Sequence, residues 1–241
     1  MITYAMKSSP GDRDVNEDYI YTQENGTAAL CAVADGLGGC GHGDLAARTA
    51  VKSVFARYRW DSEQDGFLDR AMFGAQQAVI RRQNDRPEAK EMGSTLVVLK
   101  IEDGIAEWAH IGDSRLYFFH KKKIVSQTTD HSAAQLRVLL GELKPDEIRH
   151  HPDRNLLVRS IGTPWVDESY DLSEKLPVEK GDAFLLCSDG FWEFIEEKEM
   201  VRCLKKSRSA DIWLKQMLIL VEKAGKKAVM DNYSAICIYI S

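Results

Sequence analysis

Cysteine is scarce and unpatterned. There are five, Cys31, Cys40, Cys187, Cys203 and Cys237, an odd number with no CxxC spacing. Neither a zinc knuckle nor a disulfide framework is expected from them. Cys31, Cys187 and Cys237 lie within apolar runs, where cysteine packs as a small hydrophobe. Long hydrophobic runs are missing too: no segment reaches the ~20 apolar residues of a membrane-spanning helix. The opening MITYAMKSSPGD has no basic start leading into an apolar stretch, so no secretory leader is expected. Excess positive charge is also absent, the formal net charge being −5. The basic runs HKKKI and LKKSRS are short and read as solvated loops or helix ends, so neither nucleic acid nor an anionic membrane is an expected partner. No low-complexity tract, internal repeat or Pro/Gly-rich linker interrupts the 241 residues. The expectation is a cytoplasmic protein with one domain over 1–241, long enough to bury a substantial core.

Strand signals are frequent. EDYIYTQ, AALCAVA, GSTLVVLKI, IAEWAHIG, RLYFFHK, DAFLLCS and SAICIYI are rich in β-branched or aromatic residues and bounded by turn residues. The short connections EDG at 102–104 and GDS at 112–114 read as antiparallel hairpins. Helical spacing marks two pairs, from about Asp44 to Tyr58 and Glu63 to Asn84, then Glu196 to Lys206 and Ala210 to Ala224. Between the pairs, TTDHSAAQLRVLLGELKPDEIRHHPDRN is polar, with short helical pieces and little strand character. Helices segregated from antiparallel strands indicate an α+β domain with sheets inside and helices outside.

Acidic residues sit where apolar runs stop. Asp35-Gly36, Asp189-Gly190, Asp231-Asn232 and the Asp113 of HIGDSRLYF each adjoin a strand-like run. Singly, each is an ordinary turn. Together, several carboxylates at one sheet rim would repel and resist ionisation, a conflict that a divalent cation removes. An oxygen-only donor set selects Mg²⁺ or Mn²⁺ over zinc or copper, and no EF-hand loop indicates calcium. Two cations sharing a carboxylate would lower the pKa of a water between them and suit phosphate-ester hydrolysis. Arg13, four residues before Glu17 and five before Asp18, would lie in the turn preceding a strand at the same rim and offer a phosphate its guanidinium fork. Alone it reads as a surface arginine.

In order, GDRDVNED, VADGLGGCGHGDLAA, GSTLVVLKI, HIGDSRLYF, TTDHS, HHPDRNLLVRSIG, FLLCSDGFWEFI and DNYSAICIYI resemble the motifs of the metal-dependent protein Ser/Thr phosphatases of the type-2C family, compact bacterial members above all. The resemblance runs from about residue 8 to the C-terminus. It implies a β-sandwich of two antiparallel sheets flanked by helix pairs, four layers in the order αββα, with a metal centre at one edge. It implies hydrolysis of phosphoserine and phosphothreonine in phosphoprotein substrates by a metal-bridging water. By motif, Asp35 would bridge two core Mn²⁺ or Mg²⁺ ions. The Gly36 carbonyl would bind one, and Asp189 and Asp231 the other. Glu17 and Asp18 would stand near the second ion, partly through water. Asp113 would help Asp189 hold a third, weaker ion, and Arg13 would clamp the substrate phosphate. The insert from Asp130 to about Arg154 resembles the family's mobile flap beside the cleft. A separately encoded Ser/Thr kinase as partner and a monomeric state go with this reading.

Three positions depart from the family pattern. Cys40 stands where a histidine often follows the glycine-rich run, with His42 two residues on; His42 reads either as a general acid or as an exposed loop residue. Ser94 replaces a common threonine and keeps the hydroxyl. Met230 precedes Asp231 where a small residue is frequent. His150 and His151 read as structural or substrate-facing, not as ligands. Two other readings fit less well: a phosphoprotein-binding pseudophosphatase, which would be expected to have lost one or more of Asp35, Asp189 and Asp231, all present here, and a metal-dependent phosphodiesterase, which would want a basic track along its cleft that the acidic balance argues against.

Overall fold

The computed structural model describes residues 1–38, 41–61, 65–165 and 169–241. In chain order the elements are β1 (Ile2–Ser9), β2 (Tyr19–Glu24), β3 (Ala29–Ala34), α1 (Gly43–Asp61), α2 (Phe67–Asp85), β4 (Leu96–Glu102), β5 (Ile105–Ile111), β6 (Arg115–His120) and β7 (Lys123–Gln127). There follow α3 (Ala133–Leu139), β8 (Asp171–Leu172), β9 (Leu176–Pro177), β10 (Ala183–Cys187), α4 (Asp189–Trp192), α5 (Glu197–Lys206), α6 (Ala210–Gly225) and β11 (Tyr233–Ile240). The first sheet has the order β1-β11-β10-β6-β7 and the second β2-β3-β4-β5-β8, with β9 also on β5. Every pairing is antiparallel.

Strand alternation builds the four layers. In β10 and β11, Phe184, Leu186, Ile236 and Ile238 point into the space between the sheets, where they meet Cys31, Val33, Val97, Leu99 and Trp108. Their neighbours Leu185, Cys187, Ala235 and Cys237 point outward onto Trp213 and Met217 of α6 and Met200 of α5. On the second sheet, Leu30, Ala32, Ala34 and Val98 pack outward against Ala46, Ala50 and Val54 of α1 and Met72 and Val79 of α2. A strand covered on both faces reads as an unbroken apolar run, which is why AFLLC and ALCAVA are buried at every residue. The expected α+β sandwich flanked by helix pairs is the observed architecture.

One local expectation is corrected. The turn at 112–114 is not a hairpin: β5 lies in the second sheet and β6 in the first, so Gly112-Asp113-Ser114 carries the chain from one sheet to the other. The EDG connection is a hairpin, with Glu102 opposite Ile105 and both Asp103 and Gly104 at positive φ, as a tight two-residue turn requires. Four strands go beyond the sequence expectation: β1 and β7, the edges of the first sheet, whose apolar faces are broken by exposed polar residues, and the two-residue β8 and β9 on β5. The second helix begins at Phe67; Glu63, its expected start, lies outside the described residues.

Leu186 is fully buried at the centre of the sandwich. Leu186→Ala should cost about 2–5 kcal/mol through lost burial and the cavity left behind. The check is a lower urea midpoint with an unchanged m-value.

Candidate metal centre

Strand register assembles the acidic residues. Tyr19 pairs with Ala34, so Asp18 and Asp35, each one residue beyond, emerge at the same end of β2 and β3. Cys187 faces both Arg115 and Ala235, so the segments bearing Asp189, Asp113 and Asp231 leave the first sheet together. Asp35 alone of the four junction residues follows its strand directly; Ser188 separates Asp189 from β10 and Asn232 separates Asp231 from β11.

The cluster is electrostatically frustrated. Burial, followed by the charges of Asp18, Asp189 and Asp113, holds Asp35 well above the usual carboxylate range. Burial and then Asp189 and Asp130 do the same to Asp113. Burial pushes Asp18 up to about 7 and, with the adjacent Glu193, pushes Asp189 up to about 6. Asp35 and Asp189 each shift the other's ionisation, as expected of carboxyls held too close to carry full charge together. Asp18 Oδ2 accepts from Ser188 Oγ at 2.8 Å, while its buried Oδ1 has no hydrogen-bond partner among the described residues. A buried carboxylate oxygen without a donor is costly. Oxygen donors without histidine, unsatisfied and aimed at one another, fit a hard divalent cation.

The backbone around Asp35 is fixed on both sides. Its N–H donates to Thr95 Oγ1 at 2.9 Å, and its carbonyl accepts from the Thr95 N–H at 2.8 Å and from Ser94 Oγ at 2.8 Å. The hydroxyl retained at Ser94 is therefore used. Gly36 lies so close to Gly43, at the start of α1, that an added Cβ would come within 2.2 Å of the Gly43 backbone; only glycine allows this approach. The Glu17 carboxyl lies against Gly43, and it is raised by burial and by Asp44. Glu17 therefore flanks the helix start, whereas Asp18 belongs to the buried cluster.

Arg13 reaches the rim as expected, but its fork is engaged: Nε and Nη2 donate to Asp231 Oδ1 and Oδ2 at 3.0 and 2.7 Å. His42 is exposed, at φ 61°, and its carbonyl accepts from the N–H groups of Leu45 and Ala46. Among the described residues no hydrogen bond ties its ring to the carboxylates. Cys40 lies outside the described residues. Met230 is buried against Gly225 in the outer core of the first sheet and leaves the Asp231 carboxylate free to meet Arg13. His151 is committed to Arg137 and the Asp153 N–H. His150 lines a cavity with Arg115, Arg149 and Glu197.

Several supporting residues carried no local sequence signal. Asn232 donates to the carbonyls of Pro10 and Val15 and accepts from the Glu17 N–H, so it ties the Arg13 loop to the acidic pair. Ser188 bridges Asp18 and the Ser234 N–H. Arg115 and Asp130 form a buried two-point ion pair at 2.8 and 2.7 Å, with the Arg115 guanidinium 3.6 Å from the centre of the Trp192 ring.

Carboxyls raised in this way stabilise the metal-free fold fully only below their unfolded value, near 4, and that stability is lost as pH rises through about 6 and 7. His110 and His131, held below the usual imidazole range first by burial, act in the opposite direction. They cancel when metal-loaded and metal-free protein are compared at each pH. The rise in melting temperature on adding Mn²⁺ should therefore grow from pH 5 to pH 7.5. A gain that is flat or shrinks over this range would show that no proton is displaced from the cluster.

With the geometry in place, comparison with known proteins is specific. The family profile described as Protein phosphatase 2C matches residues 8–232. The Streptococcus pneumoniae protein phosphatase PhpP is 33% identical over 78% of this chain and 78% of its own length. The Mycobacterium tuberculosis serine/threonine protein phosphatase PstP is 29% identical over 85% of this chain; the match spans only 39% of PstP. The PstP catalytic domain, solved in complex with two manganese ions, superposes with a TM-score of 0.82 at 25% identity, covering 100% of this chain and 99% of that one. The chain belongs to the protein phosphatase 2C family.

Proposed function

We propose that this chain is a divalent-cation-dependent protein serine/threonine phosphatase that releases phosphate from phosphoserine and phosphothreonine. The observation carrying the proposal is the cluster of carboxylates around Asp35, with Asp18 and Asp113 buried and Asp35 and Asp189 half-buried, which are too crowded to ionise together. Family membership and the two manganese ions bound by the PstP catalytic domain support it.

Asp35, the Gly36 carbonyl, Asp189 and Asp231 would hold two Mn²⁺ or Mg²⁺ ions, and Asp113 would share a third with Asp189. Bound there, such ions neutralise phosphate oxygens and lower the pKa of water. The chain's own residues do the rest. Asp18 and Ser188 orient the donors from behind. Thr95 and Ser94 hold the Asp35 backbone, and Arg13 presents two parallel N–H donors that match a phosphate edge as well as they match Asp231. The residues described over 130–154 comprise α3 and a 3₁₀ turn at Pro145–His150. We assign them as the flap of a single catalytic domain over 1–241. Its substrates are phosphoproteins, so a protein kinase must supply them. Among the described residues no helix is long and apolar enough to cross a membrane, in keeping with the cytoplasmic, monomeric protein included in this proposal.

Phosphate release from a phosphothreonine peptide should require Mn²⁺ or Mg²⁺ and vanish in EDTA. Asp35→Asn and Asp189→Asn should each lower kcat by more than the roughly hundredfold that loss of an outer-shell partner produces. Arg13→Ala should chiefly raise KM, since it removes phosphate binding and leaves the cation site intact. Metal binding without turnover on any phosphopeptide or aryl phosphate would favour the pseudophosphatase reading instead.

A further inference from the structure

Asp113 lies on the segment that crosses between the sheets, with no strand pairing to hold it. Its aim must come from elsewhere. On one side, His131 grips Gly112 at both backbone groups: the His131 N–H donates to the Gly112 carbonyl at 2.9 Å, and the Gly112 N–H donates to His131 Nδ1 at 3.2 Å. On the other side, Trp192 Nε1 donates to the Asp113 carbonyl at 3.0 Å. Both peptide planes flanking Asp113 are thereby pinned, one by the residue that opens the insert and one by the helix that carries Asp189. Gly112 is at φ 97° and a Cβ there would strike Thr95 at 2.6 Å, so the turn has little room to settle differently.

His131 and the neighbouring His110 are buried, and both lie beside the exposed Asp171. The His131 ring stacks on His110 at 4.8 Å, and its Nε2 lies 3.3 Å from Asp171 Oδ2 without reaching full hydrogen-bond geometry. One ligand-type atom from each of His110, His131 and Asp171 lies within 4.8 Å of the others, a grouping that invites a cation. The hydrogen bonds oppose that reading. An N–H cannot face another N–H, so Nδ1 must present its lone pair to Gly112 and the ring proton must sit on Nε2, towards Asp171. No lone pair is left there for a metal. The trio is instead a relay that fixes the His131 ring, with His110 itself held by the Thr129 carbonyl at 2.8 Å.

We propose that His131 is a positioning residue: through its two hydrogen bonds to Gly112 it sets the turn that aims Asp113 at the third cation. This rests on the assignment of Asp113 in the proposed function, and the experiment separates the two.

Asparagine places its carbonyl oxygen near the position of Nδ1, whereas glutamine reaches the position of Nε2. His131→Asn can therefore still accept from the Gly112 N–H, and His131→Gln keeps only the Asp171 side. Both variants, with Asp113→Asn, are titrated with Mn²⁺ and read by calorimetric stoichiometry and by the electron paramagnetic resonance of free Mn²⁺. Thermal melts in EDTA accompany each titration. Asp113→Asn should lose the weakest site and keep the two tight ones. His131→Gln should weaken that same site by about tenfold or more, the range for an outer-shell partner, while His131→Asn stays within about threefold of the parent. Equal weak-site affinities in the two His131 variants, whether both retained or both lost, would overturn the role of His131 while leaving Asp113 in place. Retention of all sites in Asp113→Asn would instead remove the assignment of Asp113, and this inference with it.

Discussion

Mutual repulsion among buried carboxylates is the constraint on which the rest of this molecule is arranged. Asp18, Asp35, Asp113 and Asp189 converge where two sheets end together, in a place too dry for each to carry its charge. Folding tolerates this because the cost falls on protonation instead of on structure. The two sheets, with apolar contacts between them and helices on both outer faces, supply a frame rigid enough to keep the donors close. A cation bound among them would release the frustration, so the same arrangement that weakens the empty protein would create affinity for metal.

Around that cluster runs a second tier of interactions that face away from it. Ser188, Thr95, Ser94 and Asn232 each connect one segment of the rim to another by hydrogen bonds from side chain to backbone or side chain. The insert is anchored by arginines: Arg115 to Asp130, Arg149 to Glu197 and Arg154 to Glu193. The last two acceptors follow Trp192 closely in the chain. The Trp192 ring lies beneath Arg115 while its N–H holds the Asp113 carbonyl. Insert, helix start and crossover turn thus share one side chain.

How far the sequence reveals this depends on how local the cause is. Strands β10 and β11 were legible because both faces are covered and the run is apolar throughout. Edge strands β1 and β7 were not, since an exposed edge admits Lys7, Lys123 and Ser126 without penalty. The GDS turn looked like a hairpin because turn chemistry is identical whether the next strand pairs with its predecessor or crosses to another sheet. Asp35 and Asp189 stood out because a carboxylate at the end of a buried run is locally expensive. His131, Asn232 and Arg115 did not, for their partners lie from 15 to more than 200 residues away, and nothing in a polar residue's neighbours discloses so distant a contact.

The pairing of Arg13 with Asp231 has a thermodynamic corollary. While the guanidinium fork is spent on a carboxylate, a phosphate arriving at the rim must compete for it. If Asp231 holds a cation as proposed, drawing it away would free the fork, and metal and phosphate would then strengthen each other's binding by the same factor, as linkage demands. On that assignment the ion pair at the rim would act as an interlock between the cation site and the anion site.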